Sequence, residues 1–192
     1  MRIIKENFYT VVKLWINQFG SIFLAALLLF PATALEDQVK VNWLKLAVSL
    51  FTVVFYLVLI FWVCCELGLK DNVPIEMGRM KMKWYKGTLM GLTANLPLIA
   101  LCIVACVSKL CIPASLIGSV DNAAGAAANV FFVSEFIERI LCLMYQGTLV
   151  YAGWTSASFV FFIFAFISIA VCTVGYIAGT KGFLASLLSK KA

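Results

Sequence analysis

The side chains able to do chemistry in this chain are few, and Glu135, Glu138 and Arg139 stand almost side by side. Ionisable groups in a membrane segment are usually functional, because hydrocarbon solvates charge so poorly. Glu135 and Arg139 also form an i, i+4 pair that favours a helix. A second polar pair, Asn95 and Pro97, interrupts a long apolar run. A proline inside a helix frees the carbonyl four residues back, here that of Thr93, and kinks the rod. In lipid that carbonyl needs a partner, and Asn95 carries an amide at similar depth. Transport proteins build solute sites at such breaks, and bundles use them for packing.

Histidine is absent, which removes the commonest general base and the commonest metal ligand. No HExxH, GxSxG or paired-aspartate motif occurs. The cysteines, Cys64, Cys65, Cys102, Cys106, Cys111, Cys142 and Cys172, lie mostly in apolar stretches, where they act as small hydrophobes. Their spacing gives no disulfide framework. Cys102 and Cys106 share a helix face, and thiolates with Met80, Met82 or Met90 would suit Cu(I). Those methionines fall at the opposite end of the same helix. The expectation is no catalytic residue, no cofactor and no metal site.

Arg79, Lys81, Lys83 and Lys86 form a basic run before an apolar stretch. Asp71-Asn72-Val73-Pro74 reads as a turn followed by a helix start, with Pro74 at the first helical position and Glu76 in the first turn. On that helix Arg79, Lys83 and Lys86 share a face. Such a face would hold anionic headgroups, at about 1 kcal/mol per cation, or would simply set topology and anchor the chain at the interface. Glu66, beside Cys64 and Cys65, reads as a side chain reaching the headgroups.

These residues need elements to hold them, and composition names the solvent. The chain of 192 residues is 64% apolar and 12% charged, with mean hydropathy +1.02. Water-soluble domains run near 45–50% apolar and about 25% charged. A net charge of +6 would suit nucleic acid or membrane; its distribution decides for membrane, with no nucleic-acid partner. The uncharged runs Leu14 to Leu35, Leu46 to Cys65 and Gly87 to Ser108 each reach the roughly 20 residues that cross a bilayer. None alternates as a barrel strand must. The last run, Ile140 to Thr180, would be roughly 60 Å long as one straight helix, so it must break, best at Gly147 or at Gly153-Trp154-Thr155-Ser156. Trp154 suits an interfacial anchor.

The expected fold is therefore all-α: a single transmembrane domain over 1–192, with spans at about 14–35, 46–66, 87–108 and 156–178. An external amphipathic helix over about 129–147 would lie in the interface with its charged face toward water; the sharper reading makes it a fifth membrane element whose Glu135, Glu138 and Arg139 line a cavity. Lys and Arg gather on the cytoplasmic side. The basic residues before span one, between spans two and three, and after span four put both termini in the cytoplasm of a cell-membrane protein. A signal peptide cleaved after Ala32-Thr33-Ala34 is the rival reading of the first span, against which the apolar run is long. Gly87-x-x-x-Gly91 and Gly175-x-x-x-Gly179 leave grooves for close backbone approach. Their matching depth predicts that spans three and four pack antiparallel there. The run Ala123 to Ala128 is flexible or closely packed.

Gly78-Arg79-x-Lys81, Lys86-Gly87 and Pro97, then Gly175-Tyr176-x-x-Gly179-x-Lys181-Gly182, resemble a class of small polytopic membrane proteins of low-GC Gram-positive bacteria. The resemblance covers the second half of span two through span three and the last fifteen residues, and departs between Gly118 and Tyr151. It implies location and general fold, without an activity. The leading expectation is a non-enzymatic membrane subunit or accessory protein, packing its helices against a membrane-protein partner or a second copy. The alternative is a small transporter or permease component, binding a solute among Asn17, Gln18, Asn95, Glu135 and Arg139. A mid-membrane cavity lined by those residues would favour transport, and a solid bundle the accessory role.

Overall fold

A computed structural model describes residues 7–39, 43–79, 81–111, 126–153 and 160–182. They are mostly helical, without a strand: α1 (Phe8–Val39), α2 (Leu44–Glu76), α3 (Tyr85–Cys111), α4 (Ala126–Leu141), a 3-10 turn (Leu143–Tyr145), α5 (Gln146–Tyr151) and α6 (Val160–Thr180). Four of these, α1, α2, α3 and α6, are long and apolar enough to cross a membrane. The chain is a multi-pass membrane protein. At 16 residues, α4 is about 24 Å long and falls short of a crossing. Large apolar side chains cover the outside, including Phe19, Phe23 and Phe30 on α1 and Phe166 on α6. So many large exposed apolar side chains suit a lipid surrounding better than water.

Contacts divide the chain into two compact units. Unit 1 takes the described residues within Met1–Ser21, Val53–Asn95 and Phe166–Ala192; unit 2 takes those within Ile22–Thr52 and Leu96–Ala165.

In unit 1, α6 packs between α2 and α3, because glycines let the backbones meet. A Cβ on Gly87 would sit 2.9 Å from the Cys172 carbonyl oxygen, and one on Gly91 3.0 Å from Ile169 Cα. The descending partner numbers make α3 and α6 antiparallel. Gly175 and Gly179, however, face α2 instead of α3. A Cβ on Gly175 would meet Phe61 O at 2.7 Å, and one on Gly179 would strike Cys65 O and come within 2.9 Å of Gly68 Cα. The reason is that α6 has two glycine-bearing neighbours, and Gly68, absent from the motif as read, supplies the second groove.

Three local expectations fail in unit 1. Asp71 to Pro74 is no turn: α2 runs through it to Glu76. The helix stops one turn later, where Gly78 takes φ 69°, a left-handed conformation that glycine adopts without penalty. Gly78 N–H bonds Ile75 O at 3.0 Å, and Arg79 N–H bonds Pro74 O at 3.0 Å, so the last carbonyls are satisfied. Residues 81–83 are then irregular and α3 begins at Tyr85. Arg79 and Lys83 therefore share no helix face with Lys86.

In unit 2 the long last run breaks at Cys142 and the 3-10 turn after it, earlier than Gly147, and again past Tyr151, at the expected Gly153. Gly147 lies inside α5 and serves close approach, since a Cβ there would strike the Lys45 carbonyl. The irregular backbone is satisfied from α2: Ser49 Oγ donates to Met144 O at 2.7 Å and Thr52 Oγ1 to the same oxygen at 3.3 Å. Tyr145 stacks on Phe164, centroids 3.8 Å apart. Gly153, with φ 70°, ends the described part of this connection; Trp154, the residues 156–159 of the fourth span and the run 123–125 lie outside the described residues.

Candidate functional site

The basic run divides into two. Lys86 is buried, not presented to headgroups: its Nζ donates to Asp71 at 3.0 Å (Oδ1) and 2.7 Å (Oδ2). The Tyr176 hydroxyl donates to Asp71 Oδ2 at 2.8 Å. Side-chain exposure is 10% for Lys86 and 14% for Asp71, so the pair is largely withdrawn from solvent and must neutralise itself. Asp71 thus ties α2 to α3 and α6. The sequence placed Asp71 in an expected turn and Tyr176 in a glycine motif, and nothing in it linked either to Lys86. A lone acid five residues beyond Glu66 looks like loop chemistry until α2 is seen to continue through it. Arg79, Lys81 and Lys83 stay exposed, next to exposed Trp84 and Tyr85. Cations with interfacial aromatics suit a lipid headgroup layer.

Other polar groups of unit 1 are also used internally. Glu66 accepts from Lys13 at 2.6 Å and from Lys70 at 3.1 Å. Asn95 does not serve the Thr93 carbonyl: its Nδ2 donates to Gly91 O at 2.9 Å. The side chain that reaches the proline region is Trp15 of α1, whose Nε1 donates to Ala94 O at 3.0 Å. Helix α3 is continuous through Pro97. An indole on α1 gives no pattern in the sequence that would link it to α3.

Unit 2 holds the other cluster. Glu135 and Arg139 are bonded at 2.8 Å and partly exposed. Glu138 behaves differently: it is fully buried, and neither carboxylate oxygen has a hydrogen-bond partner among the described residues. Ser134 and Cys142, one turn away on either side, are buried too, whereas Phe132, Val133, Phe136 and Ile140 are exposed. The expected orientation of α4 is therefore reversed, with the polar stripe inward and the apolar one outward. That is what an apolar surrounding imposes, since exposed phenylalanines meet no penalty there and a carboxylate does. Burial pushes the Glu138 carboxyl up to about 7; the Cys102 thiol, facing it from α3, acts against this, and Glu135 adds to it.

Unit 2 also holds an open cleft of about 320 Å³ lined by Leu29, Phe30 and Thr33 of α1, Lys45 of α2, and Gln146 and Val150 of α5. Asn17, Gln18, Asn95, Glu135 and Arg139 are not among its lining residues. No protein-family model, no curated protein and no solved structure matches the chain.

Proposed function

We propose that this chain is a non-enzymatic subunit or accessory protein of the cell membrane, with both flanks cytoplasmic. It acts through helix packing against a membrane partner or a second copy, with Arg79, Lys81 and Lys83 on anionic headgroups. One observation carries this reading: α1 turns a bare apolar face outward. Ile16, Phe19, Phe23, Leu27 and Phe30 are all more than half exposed, and a Cβ on Gly20 would meet nothing within 4 Å. A glycine among large apolar residues leaves room for another helix backbone to approach. Meanwhile Lys13, Glu66, Asp71, Lys86 and Asn95 are engaged inside unit 1. Photo-crosslinking from position 23 in native membranes tests it. Adducts to one discrete polypeptide, or to a second copy, are expected; adducts to lipid alone would contradict it.

A second reading, a small transporter or permease component, is favoured by Glu138. Buried ionisable groups in membrane proteins often mark ion pathways.

A further inference from the structure

Glu138 poses a problem that the helix-packing reading does not solve. Moving an ionised carboxylate from water into a dry interior costs far more than moving a neutral polar group, and the cost is avoided by pairing or by protonation. Pairing is not what unit 2 provides. The Arg139 guanidinium bonds Glu135, and no hydrogen-bond donor of ordinary geometry reaches either oxygen of Glu138 among the described residues. The groups that bear on Glu138 are the Cys102 thiol on α3, the Cys142 thiol just beyond α4, and Glu135 on α4 itself; Cys106 stands behind Cys102. A thiol is a weak donor and cannot stand in for a cation. No metal-holding group of three acidic or thiol side chains occurs among the described residues either.

We propose that Glu138 is a proton-binding site, its side chain carried as the neutral carboxylic acid while it is enclosed by α3 and α4. The step is one proton taken from water onto one carboxylate oxygen, with no electron transfer. The same proton returns to water whenever Glu138 is hydrated. This inference is independent of the packing reading of α1, and a failed crosslinking experiment leaves it untouched.

Two measurements on the full chain in lipid vesicles test it. The first is infrared difference spectroscopy of the wild type minus Glu138→Gln. A protonated-carboxyl band, lost in the variant, is expected to persist at about pH 6, where a solvated glutamate is already ionised. The second needs no variant, so misfolding of E138Q cannot obscure it. A hydrophobic carbodiimide reacts with a protonated carboxyl by adding oxygen across its C=N bond, the carboxyl proton passing to nitrogen. Peptide mass spectrometry should find Glu138 labelled in preference to Glu135, with labelling falling more than about tenfold between about pH 6 and about pH 9. A carboxylate-only spectrum at about pH 6 would overturn the proposal. So would labelling of Glu138 that is independent of pH.

Discussion

Units 1 and 2 meet the same difficulty, ionisable groups among apolar helices, in two ways. Unit 1 pairs them. Lys86 lies on Asp71, with Tyr176 completing the carboxylate's contacts, and Glu66 lies between Lys13 and Lys70. Around these pairs the helices meet backbone to backbone at glycines. Unit 2 satisfies its irregular backbone with Ser49 and Thr52 but leaves Glu138 without a hydrogen-bond partner among the described residues and keeps an open cavity. The contrast is instructive. A charge pair holds several helices in one arrangement, since breaking it strands a buried charge. A lone acid can change state by exchanging one proton.

The comparison breaks most readily at the glycines. Gly179→Leu places side-chain atoms against Cys65 O and Gly68 and should cost more than about 4 kcal/mol, read as loss of monodisperse protein on size exclusion; Gly20→Leu should be neutral by the same assay. Next comes the pair. Lys86→Met leaves the Asp71 carboxylate without its cation in a nearly closed site and should cost about 3 kcal/mol. Adding Asp71→Asn should recover much of this loss in a thermal-unfolding double-mutant cycle, and Tyr176→Phe alone should cost about 1 kcal/mol.

Glu138 sharpens the comparison through pH. Its folded carboxyl is raised from 4.5 to about 7, so the folded protein binds more protons than the unfolded chain between those values. Stability should fall as pH rises through that window, by up to about 3 kcal/mol, and then level off. Glu138→Gln should abolish this fall. The smallest effect belongs to Arg79, Lys81 and Lys83. Changing all three to Gln should weaken binding to anionic vesicles by about 1 kcal/mol per cation, in a salt-dependent way, with unfolding unchanged.

Much of the membrane architecture was legible because the gaps between charges measure the hydrocarbon layer directly. The glycine pairs were legible as grooves, but not their partners: Gly175 and Gly179 turn to α2 because Gly68 answers them there. Pro74 misled: proline favours a helix start, yet here it sits in the last turn, where it has no N–H for the Lys70 carbonyl. Contacts of Asp71 with residues 15 and 105 positions away hold α2 straight past the expected turn. The polar stripe of α4 was visible and its direction was not. Periodicity locates an amphipathic stripe and is blind to whether the medium outside is water or lipid. Glu138 was thus named from sequence with both directions open, outward to water or inward to a cavity, and it is buried.

The most direct test of the crossings is the sidedness of three exposed lysines. An amine-reactive, membrane-impermeant reagent is applied to intact cells and to inverted membrane vesicles, and modified peptides are read by mass spectrometry. Helices α2 and α3 crossing with their connection in the cytoplasm predict Lys81 and Lys83 modified only in inverted vesicles, and Lys109 only in intact cells. Modification of Lys81 in intact cells, or of all three from one side, would contradict the arrangement.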